Sequence, residues 1–590
     1  MSRDDRHALV LGASGLIGRH VVLALGRAGV RVSAASRSPE SALRLARWLA
    51  ARGHEPVPAD LRADFAATPL VEGAPDDVTE IYNCAGAYRF GMTVDEARHA
   101  NVDSVRAVVA FAAGMPRLRR LVQVSGYRVG GQDPAPWSEE RRRATYRALG
   151  PYEASRVEAD AVFQELAARL DVPWSIVNPA SVVGDSVTGE SDQYLGLASS
   201  LKDLWHGALA ALPGDGRTFV PVVAADHLAR FMTLLPTDEA TRGAAYWVLD
   251  DDTPALPDLL TLTAEHYGIR APRARVPLLK RLPRRLTKTD PETLTFLSTD
   301  RYPTGSARDL AARHRLPTPD TVTTILRWAD HLAAHRFGDA PAGDRRFTSP
   351  GGVRTFELGR ADADTVVLPG LPVNADTWAP VVGALGSARA IDLPGLGMSG
   401  GSRDDWSSWL TALVTGTGAR HLVGHSVGAA AAVEAAAAHP DRVEELTLVA
   451  PYFLQAFPPR SAGWTPLTCG LLRRTTPSAL SVRLTGTAEH APALRPAVSD
   501  LRRGAVAAVT ARLLASTGSA RGRADLRAAL RRYPGRVHVV TGSEDPLTAE
   551  GRSLVDGLPR ATVTVIPGAG HHPQLTHPEE VARAIGAMAP

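Results

Sequence analysis

The pentapeptide Gly424-His425-Ser426-Val427-Gly428 constrains this chain more than any other stretch. It follows the apolar run Arg420-His421-Leu422-Val423 and opens the alanine-rich stretch Ala429 to Ala438. The run predicts a strand and the alanines a helix, so the serine falls on the sharp turn between them, its hydroxyl lifted clear of the sheet. Glycines on either side let the backbone fold tightly and the helix pack close. A second glycine turn, Gly12-Ala13-Ser14-Gly15-Leu16-Ile17-Gly18, lies between the apolar run His7–Leu11 and another helical pattern. The chain thus carries two strand–turn–helix units of different design. One exposes backbone N–H groups; the other exposes a hydroxyl.

At 590 residues the chain is too long for one core, and its patterning divides it in two. Short β-branched runs alternate with helical patterns at His7–Leu11, Val30–Ala34, Glu80–Asn83, Leu121–Val124 and Trp174–Val177. This spacing predicts a doubly wound parallel sheet with helices on both faces. Residues 236–336 are richer in Pro and Arg and read as a small helical substrate subdomain, closed by a helix over Asp320–Arg336. The first domain therefore spans 1–338, a linker 339–351, and a second domain 352–590. In the second, strands are predicted over Gly352–Leu358, Thr365–Leu368, Ala388–Asp392, His421–Val423, Glu445–Val449, Val537–Thr541 and Thr562–Ile566, with a helical lid over about 453–534. Both domains are α/β.

Composition excludes several classes. Hydrophobic residues make up 44% and charged residues 22%, as in ordinary globular proteins. Net charge is only +4 and the arginines are interspersed with acids, which argues against a nucleic-acid surface. Cys84 and Cys469 are far apart, which argues against a disulfide framework and fits a reducing compartment. The first strand begins almost at once, and no run of about 18 apolar residues is present, so no signal peptide or membrane span is expected and the cytoplasm is the expected place. The histidines do not cluster at ligand spacings, so no metal site is expected. A homodimer is compatible with the sequence.

The first glycine turn predicts a nucleotide site. Gly12, Gly15 and Gly18, with Ser14, Leu16 and Ile17 between them, would bring N–H groups and a helix N-terminus against a pyrophosphate. The second strand ends Ala34-Ala35-Ser36-Arg37-Ser38. An acid there would accept ribose hydroxyls, whereas Arg37 and its serines would receive a 2′-phosphate, so NADPH is expected over NADH. Asp60 and Leu61 follow the third strand and fit an adenine contact.

Further motifs carry a resemblance. They are Asn83-Cys84-Ala85-Gly86, Asn101, Val124-Ser125-Gly126-Tyr127, Tyr152-Glu153-Ala154-Ser155-Arg156, and the run from Asn178-Pro179 to Gly184-Asp185-Ser186-Val187-Thr188-Gly189-Glu190. Over residues 5–335 the chain resembles the extended short-chain dehydrogenase/reductase superfamily, in its thioester reductase and fatty acyl-CoA reductase branch. The resemblance implies a Rossmann fold with Cys84, Ala85, Gly86, Asn101, Asn178 and Pro179 at the cofactor. It makes Tyr152 the proton donor to a carbonyl, its pKa lowered by the cation at 156. Two departures stand out. Arg156 replaces the family lysine, and Gly126 stands where a serine or threonine polarises the carbonyl. Ser125 is adjacent, but it could serve only if the strand end bends, because neighbouring strand residues face opposite sides. Two outcomes stay open for this half: a working reductase, or a cofactor-bound scaffold or sensor.

The second half orders Ser426, Asp545 and His571, each just after a predicted strand. A serine hydroxyl needs an imidazole to take its proton, and the imidazole needs a carboxylate to fix its tautomer. Glu544 and His572 are the alternative acid and base, and His425 reads as a packing residue. In Leu368-Pro369-Gly370-Leu371-Pro372, the N–H of Leu371 would join that of Val427 in an oxyanion hole. Asp392-Leu393-Pro394-Gly395-Leu396-Gly397-Met398-Ser399 shapes the adjacent loop. Over residues 350–590 the chain resembles the α/β-hydrolase superfamily, although Pro369 stands where that family usually has histidine. Arg473, Arg474, Arg502 and Arg503 in the lid read either as a solvated helical face or as contacts to a carrier or CoA phosphate. The combined expectation is a bifunctional enzyme: an NADP(H)-dependent oxidoreductase fused to a serine esterase or thioesterase. Its substrate would be a small acyl or carbonyl compound, free or on a carrier or CoA, in lipid or secondary metabolism. The alternatives are a hydrolase alone, or an acyltransferase or cyclase on the hydrolase fold.

Overall fold

The computed structural model describes residues 5–54, 61–67, 70–86, 91–276, 297–340, 343–455, 465–545, 555 and 561–587. Asp60, expected at the adenine, lies outside them. The chain forms two compact units, one of Met1–Leu201, Ala210–Thr263 and Ala271–Leu332, the other of Lys202–Leu209, Ala264–Arg270 and Ala333–Pro590.

The first unit is built on β1 (His7–Leu11), β2 (Arg31–Ser36), β3 (Leu61–Arg62), β4 (Glu80–Asn83), β5 (Arg120–Val124) and β6 (Trp174–Pro179). Short strands follow as β7 (Ser181–Val183), β8 (Leu212–Pro213) and β9 (Val222–Ala224), then β10 (Ala244–Val248) and β11 (Arg275–Val276). Seven of them form one sheet in the order β10-β6-β5-β4-β1-β2-β3, with every pairing parallel. Successive residues of β1 enter two cores. Ala8 and Val10 pack with Val21, Val32 and Phe231, while Leu9 and Leu11 pack with Val108, Leu121 and Phe163. A strand buried on both faces needs a continuous apolar run, which is why β1 was legible. The strand order reverses at β1, whose neighbours are β2 and β4, so the glycine turn leaves the sheet at its switch point.

Residues 236–336 were expected to be helical, but β10 lies within them and pairs along its whole length with β6. Ala244-Ala245-Tyr246-Trp247-Val248 has the composition of a half-buried strand, and the sheet edge recruits it. The helices Leu256–His266, Gly305–Arg313 and Thr321–Ala334 fill much of the rest.

The second unit contains β12 (Arg345–Thr348), β13 (Thr355–Gly359), β14 (Thr365–Leu368), β15 (Ala388–Ile391), β16 (His421–His425), β17 (Glu445–Val449), β18 (Arg536–Gly542) and β19 (Ala561–Ile566). They form one sheet in the order β12-β13-β15-β14-β16-β17-β18-β19, parallel from β15 onward. The stretch 339–351, expected as a linker, holds β12, which pairs antiparallel with β13. The Arg345 side chain is buried there, donating from Nε to Ala334 O at 2.6 Å. The helix Val427–Ala438 is buried on almost every side, and its alanines let it lie close to the sheet. Between β17 and β18 stand the helices Thr465–Arg474, Pro477–Thr485, Ala491–Arg502, Val506–Ser516 and Ala520–Arg532, where the sequence placed a lid. Among the described residues no helix is long and apolar enough to cross a membrane.

Candidate active sites

In the second unit, β16 runs directly into Ser426, whose backbone takes φ 51°, ψ −108°. A non-glycine residue in such a conformation is strained by about 1–3 kcal/mol, and persists only where its surroundings dictate it. They do so here by contact. A Cβ at Gly424 would lie 2.4 Å from Ala429 Cα, and one at Gly428 would lie 2.0 Å from Leu368 O. Neither position admits a side chain. The serine Oγ lies 3.1 Å from His571 Nε2, and His571 Nδ1 lies 3.0 Å from Asp545 Oδ2. The loops bearing acid and base are themselves joined, by Glu544 N–H donating to Ala569 O at 2.9 Å. Glu544 is exposed. His572 is buried, and burial first, then His425 and His571, hold its ring well below the ordinary histidine pKa. The residues brought to Ser426 are therefore Asp545 and His571, not Glu544 and His572.

His425 binds two loops together. Its Nδ1 accepts the Gly370 N–H at 3.2 Å, and its Nε2 lies 3.0 Å from His571 O. An amide N–H only donates and a carbonyl only accepts, so the ring is the neutral tautomer with its proton on Nε2. Burial, together with the nearby His571, pushes its pKa down to about 3. The loop 368–372 is thereby pressed against the serine: a Cβ at Gly370 would lie 2.8 Å from Ser426 Cβ. Leu371 is buried in this loop, and Val427 opens the helix, where an N–H has no partner in the preceding turn.

Asp392, in the glycine-rich run, is a brace. It accepts the N–H groups of Ala375 at 2.7 Å and Met398 at 2.8 Å. Burial, and secondarily Asp500, push its pKa up to about 7. Gly397 has φ +52°, and its missing Cβ leaves the room that the carboxylate fills. The lid arginines also have partners. Arg473 donates to Gly504 O at 3.0 Å, Arg502 to Thr475 O at 2.9 Å, and the buried Arg503 to Gly397 O at 2.6 Å. Arg474 is exposed. One residue with no motif around it joins the site: Gln455, whose Nε2 donates to Asp545 Oδ1 at 2.9 Å.

In the first unit a cavity of about 200 Å³ is lined by Ile17, Cys84, Ala85, Gly86, Tyr152 and Arg156, among others. The glycine turn is tight: a Cβ at Gly12 would lie 2.8 Å from Ala85 N, and one at Gly18 would lie 2.2 Å from Gly12 O. Leu16 is buried, whereas Ser14 and Gly15 reach the surface. Gly15 caps the helix Leu16–Arg27 with no side-chain bond and no acid in its first turn, which suits a phosphate. At the end of β2 the buried Ser36 Oγ has no partner among the described residues, and Arg37 is exposed. Ser38, by contrast, caps the helix Pro39–Ala50. Leu61 pairs with Ala35 in β3. These residues fit a nicotinamide dinucleotide.

Tyr152 and Arg156 lie one turn apart on the helix Pro151–Arg169, and Arg156 Nη1 donates to Tyr152 Oη at 3.3 Å. Arg156 Nη2 donates to Ser125 O. A Cβ at Gly126 would lie 3.4 Å from that same Nη2, so the guanidinium fills the space beside the glycine. Ser125 lines the cavity but donates its hydroxyl to Asp160 Oδ1 at 3.0 Å. Burial pushes Asp160 up to about 6.

Two residues expected at the cofactor lie outside the lining of this cavity. Asn101 donates to Ser155 Oγ at 2.9 Å and so braces the tyrosine helix. Asn178 is wholly buried beneath Gly130, where a Cβ would lie 2.4 Å from its Nδ2. Pro179, Cys84, Ala85 and Gly86 do line the cavity. The run ending at Glu190 is likewise structural: Asp185 accepts the Val187 and Thr188 N–H groups at 2.9 and 2.8 Å, and Glu190 accepts the Trp48 Nε1–H at 2.6 Å.

Two family models match, one in each half of the chain. Residues 68–232 match the male sterility protein family, an NAD-binding model, and residues 365–584 match the alpha/beta hydrolase family. The chain is a fusion of a reductase-like nucleotide-binding domain with an alpha/beta hydrolase domain. It is 28% identical over 249 residues to the pimeloyl-[acyl-carrier protein] methyl ester esterase of Nitrosomonas europaea, covering 38% of this chain and 95% of that one. It is 29% identical over 258 residues to the dihydrolipoyllysine-residue acetyltransferase component of the acetoin cleaving system of Pseudomonas putida, covering 40% of this chain and 66% of that one. Among solved structures it is similar to the terminal R domain from the myxalamid PKS-NRPS pathway, at 20% identity and TM-score 0.45, over 57% of this chain and 93% of that one.

Proposed function

We propose that the chain is a bifunctional enzyme. Its second unit cleaves an ester or thioester through Ser426, and its first unit reduces a carbonyl or acyl thioester with NADPH. The hydrogen-bonded line from Ser426 through His571 to Asp545 carries this reading. Ser426 Oγ attacks the acyl carbon as His571 Nε2 takes its proton. Leu371 and Val427 N–H groups hold the oxyanion. On collapse the C–O or C–S bond breaks, and His571 returns the proton to the departing alcohol or thiol. Water then releases the acid by the same route, and Asp545 stabilises the imidazolium in both halves. The carrier-bound methyl ester named for the esterase relative supports an acyl substrate, free or on a carrier or CoA, in lipid or secondary metabolism.

In the first unit a bound NADPH would supply hydride. The Gly12–Gly18 turn and the helix N-terminus would hold the pyrophosphate, Ser36 and Arg37 would take the 2′-phosphate, and Cys84 to Gly86 line the cavity beside the tyrosine. Tyr152 gives its proton to the carbonyl oxygen, with Arg156 placed to stabilise the phenolate left behind. A second reading keeps only the hydrolase active. It is favoured by Gly126, which offers the carbonyl no hydroxyl, and by the engagement of Ser125 with Asp160. The two free cysteines support the cytoplasm as its place.

The deciding experiment follows NADPH absorbance against a panel of acyl thioesters, aldehydes and ketones, beside p-nitrophenyl ester cleavage. NADPH oxidation together with ester cleavage supports two working sites. Ester cleavage with NADPH bound but never oxidised supports the second reading, and no cleavage of any ester overturns both.

A further inference from the structure

We propose that Gln455 is a positioning residue for the serine site, fixing the carboxylate of Asp545 while the helix Ala520–Arg532 fixes Gln455. This rests on the reading of Ser426 as a nucleophile. Asp545 is buried, and its Oδ2 takes the His571 Nδ1–H at 3.0 Å. A bond to each oxygen of a carboxylate holds its plane. Gln455 Nε2 donates to the other oxygen, Oδ1, at 2.9 Å, and so fixes the plane. The same nitrogen lies 3.0 Å from His571 Nδ1. When Nδ1 carries the proton shared with Asp545, that contact cannot be a hydrogen bond, so the amide hydrogen belongs to the carboxylate. Donation to the ionised form favours it, and the ionised form is the one that orients imidazole and stabilises imidazolium.

The glutamine is itself held from the lid region. Arg523 Nη2 donates to Gln455 O, and Arg527 Nε donates to Phe453 O at 2.7 Å. These arginines lie one turn apart on the same helix, so two carbonyls of the 453–455 segment are gripped from one face. Arg523 is itself buried. Backbone anchoring alone leaves the side chain unexplained.

The test uses the full chain with p-nitrophenyl esters and a fluorophosphonate that labels the nucleophilic serine. Gln455→Met keeps the length and removes the donor. The expected result is a kcat lowered about 10–100-fold with KM unchanged, labelling of Ser426 slowed by the same factor, and an unchanged melting temperature. Gln455→Glu can donate only when its carboxyl is protonated, so its activity relative to wild type should rise as pH falls. Wild-type kcat in Gln455→Met overturns the proposal. So does a loss explained by a lowered melting temperature together with a Glu-to-wild-type ratio that is flat with pH. A wild type that cleaves no ester and takes no label overturns the hydrolase reading, and this proposal with it.

Discussion

The two sites treat their polar groups in opposite ways. Around Ser426 each group points at the next: serine to His571, His571 to Asp545, Asp545 to Gln455. Around Tyr152 the groups turn back into the scaffold. Ser125 donates to Asp160, and Arg156 divides between Tyr152 and the Ser125 carbonyl. A serine needs a relay assembled before substrate arrives, because its hydroxyl is a poor nucleophile alone. A nucleotide site needs chiefly an open backbone and a shaped cavity, since the cofactor brings the reactive bond. The second kind can therefore persist as a binding site with little catalytic help from side chains, and the first cannot.

Removing the nucleophile is the hardest test of that contrast. Ser426→Ala should lower p-nitrophenyl ester cleavage by at least about 10³-fold, the scale on which a serine relay fails as a unit. NADPH affinity, measured by titration, should stay as it was. Cleavage retained within tenfold would dismantle the relay. On the other side, Tyr152→Phe removes only the hydroxyl proposed as proton donor. NADPH oxidation should fall about 10²–10⁴-fold with ester cleavage intact. An unchanged rate would show that the phenol takes no part.

The units should also differ in acid. His425, with a pKa pushed to about 3, His421, pushed to about 4, and His572 are all neutral when folded, chiefly through burial. Below the ordinary value of 6.5 the unfolded chain takes up protons that the folded unit refuses. The stability each contributes is present above pH 6.5 and is lost as pH falls toward the folded pKa, by about 1.4 kcal/mol per pH unit for each. Asp392 works the other way. Raised to about 7, it costs stability as pH climbs from 3.8 through 7, so acid returns part of the loss. The histidines outnumber it. Calorimetry with NADPH, which raises the melting of the unit that binds it, should show the other transition falling faster between pH 7 and 5. Equal movement of both transitions would contradict the assignment.

The sequence made the strands legible where burial is two-sided. His7–Leu11, Glu80–Asn83, Thr365–Leu368 and Glu445–Val449 coincide with β1, β4, β14 and β17, and the others agree within a few residues. Both glycine turns were legible for the same reason, because Gly12, Gly18, Gly424 and Gly428 leave no room for a Cβ and so could not be anything else. What escaped depends on contacts far apart in sequence. β10 is a strand because β6 is there to pair with. Gln455 is separated from Asp545 by ninety positions of chain, so no local pattern marks it. Asn101 and Asn178 sit in the motif positions of a family, yet neither lines the cavity: Asn101 donates to Ser155 Oγ, and the buried Asn178 amide has no hydrogen-bond partner among the described residues.

The finest difference concerns the phosphate that separates the two nicotinamide cofactors. Ser36 offers a buried hydroxyl with no partner among the described residues, and Arg37 stands exposed beside it at the end of β2. Ser38 is already engaged as a helix cap, so on the proposed NADPH preference the cation would be the main discriminating group. A charge-assisted contact at an exposed position is screened by salt, which limits its worth to about 1 kcal/mol and hence to about a fivefold change in affinity. Arg37→Ala should weaken NADPH by about that factor, more at low ionic strength, and leave NADH unaffected in a fluorescence titration. Equal losses for the two cofactors would remove Arg37 from the phosphate. They would leave Ser36 and the backbone of the turn as the candidates among the described residues.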